Sequence, residues 1–497
     1  MIRRSRCRRQ PGYGERGVTM ILVALAMIAI IAMAALSIDV ITLYLAREEA
    51  QRSADAATLA AARVISLSGM TGDPGNSALS WQAVCGGSTS PASQAAIAVA
   101  EQSAIGGTAA PAPTVTYSAG SGVSAASSSD CSSLPAAFGV NPMVTVQITR
   151  PSLPTFFSRI WGSAGSSVSA AATAEAFNSS NSGNVGNGPT STITPVQPRC
   201  VKPWIVPNRD PLNPNDTCGQ GGGGGCAKFV SLADGSITNK GISLNGTSAT
   251  GVIGERFWLA PDCVHTGSSC TLQLNPPDGN YYAMSKRAWL EPPPSLEYLP
   301  GEAPTTNPVA VPTCANSGSV YEAAVGGCDQ STVYQCGVQS SAASPPVVVD
   351  LSENPGAGTN DTMNGVTCMI HEGNSTDAQP DGQDTMNLSA YPFQILSGTS
   401  SPLISSGLAS GSVITNSNSI VSLPIYDDTQ GTGKVKPTGT TNVTIVGFLQ
   451  VFINSVDQWG NLDVTVLNVS GCGNGNNPTG NPVTGSSPVP IRLITPP

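Results

Sequence analysis

Thirteen cysteines and only two histidines, His265 and His371, decide which chemistry is open to this chain. Cys7 precedes an apolar N-terminal run. The other twelve lie beyond it: Cys85, Cys131, Cys200, Cys218, Cys226, Cys263, Cys270, Cys314, Cys328, Cys336, Cys368 and Cys472. An even dozen on one side of such a run is what a disulfide framework in an oxidising compartment predicts. Structural zinc does not fit, because no C-x2-C pair occurs and histidines are scarce. Cys85 and Cys131 would staple the first region, leaving ten cysteines for the second. The short spacings 218/226, 263/270 and 328/336 suggest local loops, although spacing alone leaves connectivity open. Each bridge would stabilise by ~2–4 kcal/mol.

Catalytic constellations are missing from the sequence. There is no HExxH, no G-x-S-x-G, no phosphate-binding loop and no dinucleotide fingerprint. Asp350, Asp361, Asp377, Asp381 and Asp384 fall in one polar region, which reads as a solvated loop or a calcium site. The segment DAQPDGQD (377–384) lacks the Glu that closes an EF-hand loop. No residue is therefore assigned to catalysis, cofactor binding or a metal, and the chain is expected to be a non-enzyme without a cofactor.

Six of the 22 basic residues, Arg3, Arg4, Arg6, Arg8, Arg9 and Arg16, lie in the first sixteen positions, and the body that follows is acidic. An acidic body without a Lys/Arg cluster argues against nucleic acid as a partner. From Val18 to Ile38 the chain carries no charge, long enough at 1.5 Å per residue to cross a bilayer core. The positive-inside bias puts the arginine side in the cytoplasm and everything after Asp39 outside it. A cleaved signal peptide ending at Ala32-Met33-Ala34 is the alternative. Against it, the apolar run continues to Ile38 and helical patterning goes on through residue 65.

Residues 40–66 contain no Gly or Pro. Val40, Leu43, Ala46, Ala50, Ala54, Ala57, Ala61 and Val64 recur at spacings of three and four and mark one helical face. A stripe of alanines permits close approach of another element while burying little area. It would pack either on the protein's own ectodomain or on a helix of a partner subunit. Further on, 91–105 reads as a helix opened by Pro91, and Val115–Tyr117 and Val144–Thr149 read as strands. Residues 178–196 are small and polar and look like a linker. Beyond Cys200 short apolar runs alternate with Gly, Pro and Asn clusters. The runs 443–456 and 462–470, joined by DQWGN, form the clearest hairpin.

The block Glu15–Ala62 closely resembles the N-terminal segment of TadG-like proteins of the Flp/Tad (tight adherence) pilus-assembly systems. The residues that carry the resemblance are Arg16-Gly17, Asp39-Val40, Tyr44, Arg47, Gln51 and Ala54-Asp55-Ala56-Ala57. Met143–Ala176 is similar to the segment that follows in such proteins, with its strand, its Pro-Thr-Phe-Phe turn (154–157) and its small-residue strand ending Ala-Thr-Ala. Related pseudopilins are cut after a Gly with Glu at the fifth position beyond. Here Leu22 holds that position, so the anchor is expected to stay. Many TadG-like proteins also carry an Asp-x-Ser-x-Ser metal site. The nearest match, Asp350-Leu351-Ser352-Glu353-Asn354, ends on the wrong residue.

The resemblance and the patterning together imply an α+β fold. A transmembrane helix continues into a pilin-like helix packed on a β-sheet, followed by a loop-rich, mainly β, disulfide-stapled domain. The expected divisions are a cytoplasmic basic tail (1–17), a transmembrane helix (18–38), a pilin-like α+β region (39–177), a polar linker (178–196) and an exported mainly β domain (197–497). The implied role is that of a non-enzymatic, single-pass component of pilus assembly in the bacterial inner membrane, its C-terminal domain periplasmic. Its expected partners are other pilus-assembly subunits, met through the Ala-rich helix, and an envelope or surface ligand for the second domain. The alternative is an adhesin released by cleavage near Ala34.

Overall fold

The computed structural model describes residues 15–72, 78–119, 127–153, 157, 162, 165–182, 196–213, 227–246, 251–261, 295–300, 314, 320–328, 334, 347–350, 361–373, 381–427, 440–457, 460–472 and 483–494. One helix, α1 (Glu15–Leu67), contains both the apolar run and the alanine stripe without a break. Leu, Ile, Met, Ala and Glu fill it, and no Gly or Pro interrupts it between Val18 and Leu67. It stops at Gly69, whose positive φ of 72° ends the helix; the Ser68 N–H turns back to the Val64 and Ile65 carbonyls. A Cβ at Gly69 would overlap the Ile253 side chain and come within 2.9 Å of the Leu467 carbonyl oxygen. Glycine here lets α1 end flush against the second lobe.

The first lobe packs α1 and α3 (Pro91–Glu101) on a sheet formed by β1 (Thr114–Ala119), β2 (Ser127–Ser128), β3 (Pro142–Leu153) and β4 (Ser166–Ala176). The short helix α2 (Ala78–Cys85) is stapled to the segment after β2 by Cys85–Cys131. Ala46, Ala50, Ala54, Ala57 and Ala61 are buried, and facing them β4 presents Ala170, Ala172, Ala174 and Ala176. Methyl against methyl brings the helix backbone close to the sheet. At that distance Thr58 Oγ1 reaches the Ala172 carbonyl at 3.2 Å and Gln51 Nε2 reaches Ala171 O at 3.2 Å. The stripe is therefore filled by the chain's own sheet and α3. This corrects the expectation of a partner subunit on that face, since no alanine of the stripe between 46 and 61 is left open.

The second lobe is a closed six-stranded barrel among the described residues. Its strands are β5 (Trp204–Pro207), β6 (Arg256–Pro261), β7 (Ser295–Pro300), β8 (Ile420–Tyr426), β9 (Ile445–Val456) and β10 (Leu462–Gly471). They are ordered β7-β5-β8-β9-β10-β6, and β6 returns parallel onto β7. The predicted hairpin is β9–β10. Its turn is held by Asp457, whose carboxylate accepts the Asn461 backbone N–H at 2.9 Å and its side-chain amide at 2.6 Å. Two short helices, α4 (Val320–Gly326) and α5 (Asp361–Ile370), pack together, with Gly365 against Val325 and Cys314 bonded to Cys368. Cys328 bonds Cys200, 128 positions away, and not the nearby Cys336; the local loop suggested by the 328/336 spacing is corrected accordingly. Cys472 is disulfide-bonded as well. Cys7, Cys218, Cys226, Cys263, Cys270 and Cys336 lie outside the described residues.

The lobes are joined by more than a linker. Strand β11 (Ile491–Ile494) leaves the second region and pairs antiparallel with β4, becoming the edge of the first sheet. Asn178, Ser179 and Ser180, at the start of the expected polar linker, are buried. Asn178 Nδ2 donates to Thr71 O at 3.3 Å and to Val469 O at 3.2 Å, and the Ser179 hydroxyl donates to Gly471 O at 2.8 Å. Ser66 Oγ donates to Val489 O at 2.6 Å. Residues 183–195 lie outside the described residues.

The alanine seam yields a first test. Ala57→Leu adds volume where helix and sheet already touch and is expected to destabilise the fold by about 1–3 kcal/mol. Ala56→Leu, on the exposed face, is expected to leave the denaturation midpoint almost unchanged. Equal effects from the two in chemical denaturation would contradict the seam.

Candidate functional site

Along α1 the chemistry changes at Asp39. Before it, Val18, Met20, Ile21, Leu22, Leu25, Ile28, Ile31 and Ile38 are exposed, and none of the described residues covers them. The helix over Gly17–Leu67 is apolar and long enough to cross a membrane. Asp39 ends the uncharged run in the sequence, yet only 3% of its surface is exposed. Its carboxylate accepts the backbone N–H of Phe157 at 3.1 Å, in the turn between β3 and β4. With that charge turned inward, the outward face stays apolar through Val40, Ile41, Tyr44 and Leu45, the last still 53% exposed. From Val18 to Leu45 the apolar face extends about 42 Å at 1.5 Å per residue, against a hydrocarbon core of roughly 30 Å. About one third of its length thus exceeds a single crossing.

Past Leu45 the exposed face turns polar. Arg47 is exposed, and Glu48 pairs with Arg52 one turn on, at 3.6 Å. The Glu49 carboxylate accepts the Gly106 N–H at 2.8 Å. Gln51 Nε2 donates to Asp55 Oδ1 at 2.8 Å as well as to the sheet. The residues that carry the resemblance thus divide into two roles. Asp39 and Gln51 pin the helix to the body of the protein, Asp55 holds the Gln51 amide, and Tyr44 and Arg47 face outward. Gly17 opens the exposed rod, and the side chain of Arg16 lies outside the described residues. Sequence reading missed Thr58 and Ser66, because a hydroxyl in an alanine-rich helix carries no signal until its acceptor strand is known.

Residues 17–64 match the family model described as Flp pilus-assembly TadE/G-like. The chain is TadE/G-like at its N-terminus. No curated protein and no solved structure matches the chain. The TadE/G-like segment spans the exposed rod and nearly all of the buried stripe, so it covers the place where α1 passes from one surrounding to the other. The rest of the first sheet and the barrel lie beyond it.

Among the described aspartates of the polar region, Asp384 has side-chain partners, and Asp381 bonds through its backbone to Gln383 and Gly373. Asp361 lies in the first turn of α5, where a negative charge suits the helix dipole. Asp384 accepts Gly398 N at 3.0 Å and the Ser417 hydroxyl at 2.6 Å. Asp350 ends a short strand, Val347–Asp350; Ser352 and Asp377 lie outside the described residues. Among the described residues no three His, Cys, Asp or Glu side chains converge.

The second lobe buries a lysine. Lys202, two residues after Cys200, is 5% exposed, and its Nζ donates to Val325 O at 2.6 Å and to Gly327 O. These carbonyls belong to the C-terminal end of α4, which the lysine caps from another part of the chain. Among the described residues no carboxylate contributes to its titration, and burial pushes its pKa down to about 7. Between pH 7 and the ordinary lysine range the unfolded chain then binds more protons than the folded one, so this residue's contribution to stability rises with pH over that window and is lost below it. Measured by chemical denaturation, the stability of the wild type relative to Lys202→Met is expected to grow from pH 7 to 9.5 and to level off below pH 6. A flat difference across that range would rule out a buried, pH-titrating lysine.

Proposed function

We propose that the protein is a non-enzymatic, membrane-anchored component of Flp/Tad-type pilus assembly. Its N-terminus faces the cytoplasm, α1 crosses the inner membrane once, and both lobes stand in the periplasm. The observation that carries this reading is the change along one unbroken helix, whose apolar face is bare before Asp39 and whose alanine stripe is buried in its own ectodomain from Ala46 on. A stiff helix of this kind passes position and force between a membrane and a folded body. The TadE/G-like segment supports the pilus role. The arginines at the start support the orientation, and the disulfides support an oxidising compartment.

With the alanine stripe filled from within, other pilus-assembly subunits would meet the helix on its outward face, where Val40, Ile41, Tyr44 and Leu45 remain open. The second reading, an adhesin released near Ala34, draws on the Ala32-Met33-Ala34 sequence. The two differ in the mature chain: an inner-membrane protein of full mass supports anchoring, and a species beginning at Ala35 in the medium supports release.

Replacing Ile28 and Ile31 by Arg places two charges mid-span, at about 2.5–3.5 kcal/mol each on insertion scales. The expected outcome is loss of the protein from the inner-membrane fraction together with loss of pili. Ile41→Ser with Leu45→Ser is expected to leave the fold's stability intact while reducing piliation. Normal piliation in a strain lacking the chain would refute the assembly role.

A further inference from the structure

Asp210 follows β5 and Glu255 immediately precedes β6, so the two are brought together from distant parts of the chain at one end of the barrel. Both are buried, Asp210 at 1% and Glu255 at 0% exposure, and their carboxyl groups lie against each other. Among the described residues no lysine, arginine or histidine acts on either carboxyl group. Two like charges placed side by side out of water are strongly unfavourable without something positive between them.

The donors around the pair do not meet its capacity. Asp210 Oδ1 accepts the Leu212 N–H at 3.3 Å, and Oδ2 accepts the Asn213 amide at 3.4 Å, a long contact. Glu255 Oε1 accepts Asn239 Nδ2 at 3.3 Å, while among the described residues buried Oε2 receives no N–H or hydroxyl donor and has only the Asp210 carboxyl beside it. The Asn239 side chain also acts on Asp210, so it stands between the two carboxyls. An asparagine amide presents an oxygen as readily as a nitrogen when its ends are exchanged.

The backbone holds the pair in place. Val466 N–H donates to Glu255 O at 2.8 Å, Asp210 N–H to Ala227 O at 3.1 Å, and Val252 N–H to Asn239 O at 3.0 Å. The carboxylates therefore have little freedom to swing apart, and the site is formed in advance.

From this geometry we propose that Asp210, Glu255 and Asn239 form a site for a divalent cation of the calcium class. Every donor is a hard oxygen, which disfavours zinc and copper. Both carboxyl groups are shut off from solvent. Calcium accepts mono- or bidentate carboxylates and amide or backbone carbonyls in flexible geometry, whereas magnesium holds on to several waters and fits a buried pocket poorly. The ion would tie the segment that follows β5 to the start of β6 at Arg256 and so brace the barrel end nearest α1, where Gly69 meets Ile253. Without the ion, the pair is left with a shared proton. Burial and the neighbouring Asp210 then hold the Glu255 carboxyl protonated, its pKa raised to about 10.

The test uses the full-length chain in detergent, stripped with EDTA and titrated with Ca2+ or with Mg2+. Calcium at ten- to a hundredfold over its dissociation constant is expected to raise the thermal midpoint by roughly 3–10 °C, reversibly with EDTA. Isothermal titration is expected to give one calcium per chain, with magnesium binding at least tenfold more weakly. Glu255→Gln removes the ionisable group at nearly the same shape. It is expected to melt at or above the stripped wild type and to lose the calcium response, which separates a ligand role from mere support of the fold.

The proposal is overturned if neither ion shifts the midpoint of the wild type. It is also overturned if the stripped and calcium-loaded wild type lose stability identically between pH 5 and 9 while Glu255→Gln does not. That second pattern is the sign of a retained proton, since a carboxyl with a raised folded pKa contributes stability below its unfolded pKa and loses it as pH rises.

Discussion

Everything distal to the rod depends on the contact of small side chains between α1 and β4. Ala46, Ala50, Ala54, Ala57 and Ala61 meet Ala170, Ala172, Ala174 and Ala176, and each methyl removes little area from water. The gain is proximity. A thinner seam admits the hydrogen bonds of Thr58 and Gln51 to sheet carbonyls, and these fix the helix in both rotation and register. Larger side chains would bury more apolar surface and hold the backbones too far apart for those bonds. Asp39 and Phe157 fix the other end of the contact, so the point at which α1 leaves the body is set by chemistry on both sides.

The same logic governs the union of the lobes. Polar side chains of modest size, Ser66, Asn178, Ser179 and Asn468, lie in the interface and satisfy backbone carbonyls across it. Buried polar groups of this kind contribute little net energy when paired and cost about 1–3 kcal/mol when orphaned, which makes one relative placement of the lobes strongly preferred. The Glu175–Arg492 pair and the stacking of Arg492 over Phe177 fasten β11 to the same sheet.

Much of this was legible in the sequence. The continuous helix followed from uninterrupted helix formers, and the β9–β10 hairpin followed from two β-rich runs around Asp457–Asn461. The stripe was visible from its spacing, though spacing could not say what would fill it. Asn178–Ser180 read as linker because small polar residues resemble solvent-facing ones, and here they are polar because they bridge two backbones. Likewise β10, LDVTVLNVSG, alternates like a half-exposed strand, yet both its faces are buried, with Asn468 and Ser470 turned toward the first lobe. The Asp210–Glu255 pair and the Cys200–Cys328 bridge join residues far apart in the chain, and no local pattern announces either.

The placement of β11 carries a consequence for biogenesis. The strand that borders β4 is made of residues 491–494, more than three hundred positions after β4 itself. As the chain is made, the first sheet keeps an open edge beside β4 until residues 491–494 have appeared. Maturation of the first sheet therefore waits on a strand made long after the rest of it, so a chain interrupted in between is left with an unfinished sheet that quality control can distinguish from a finished one.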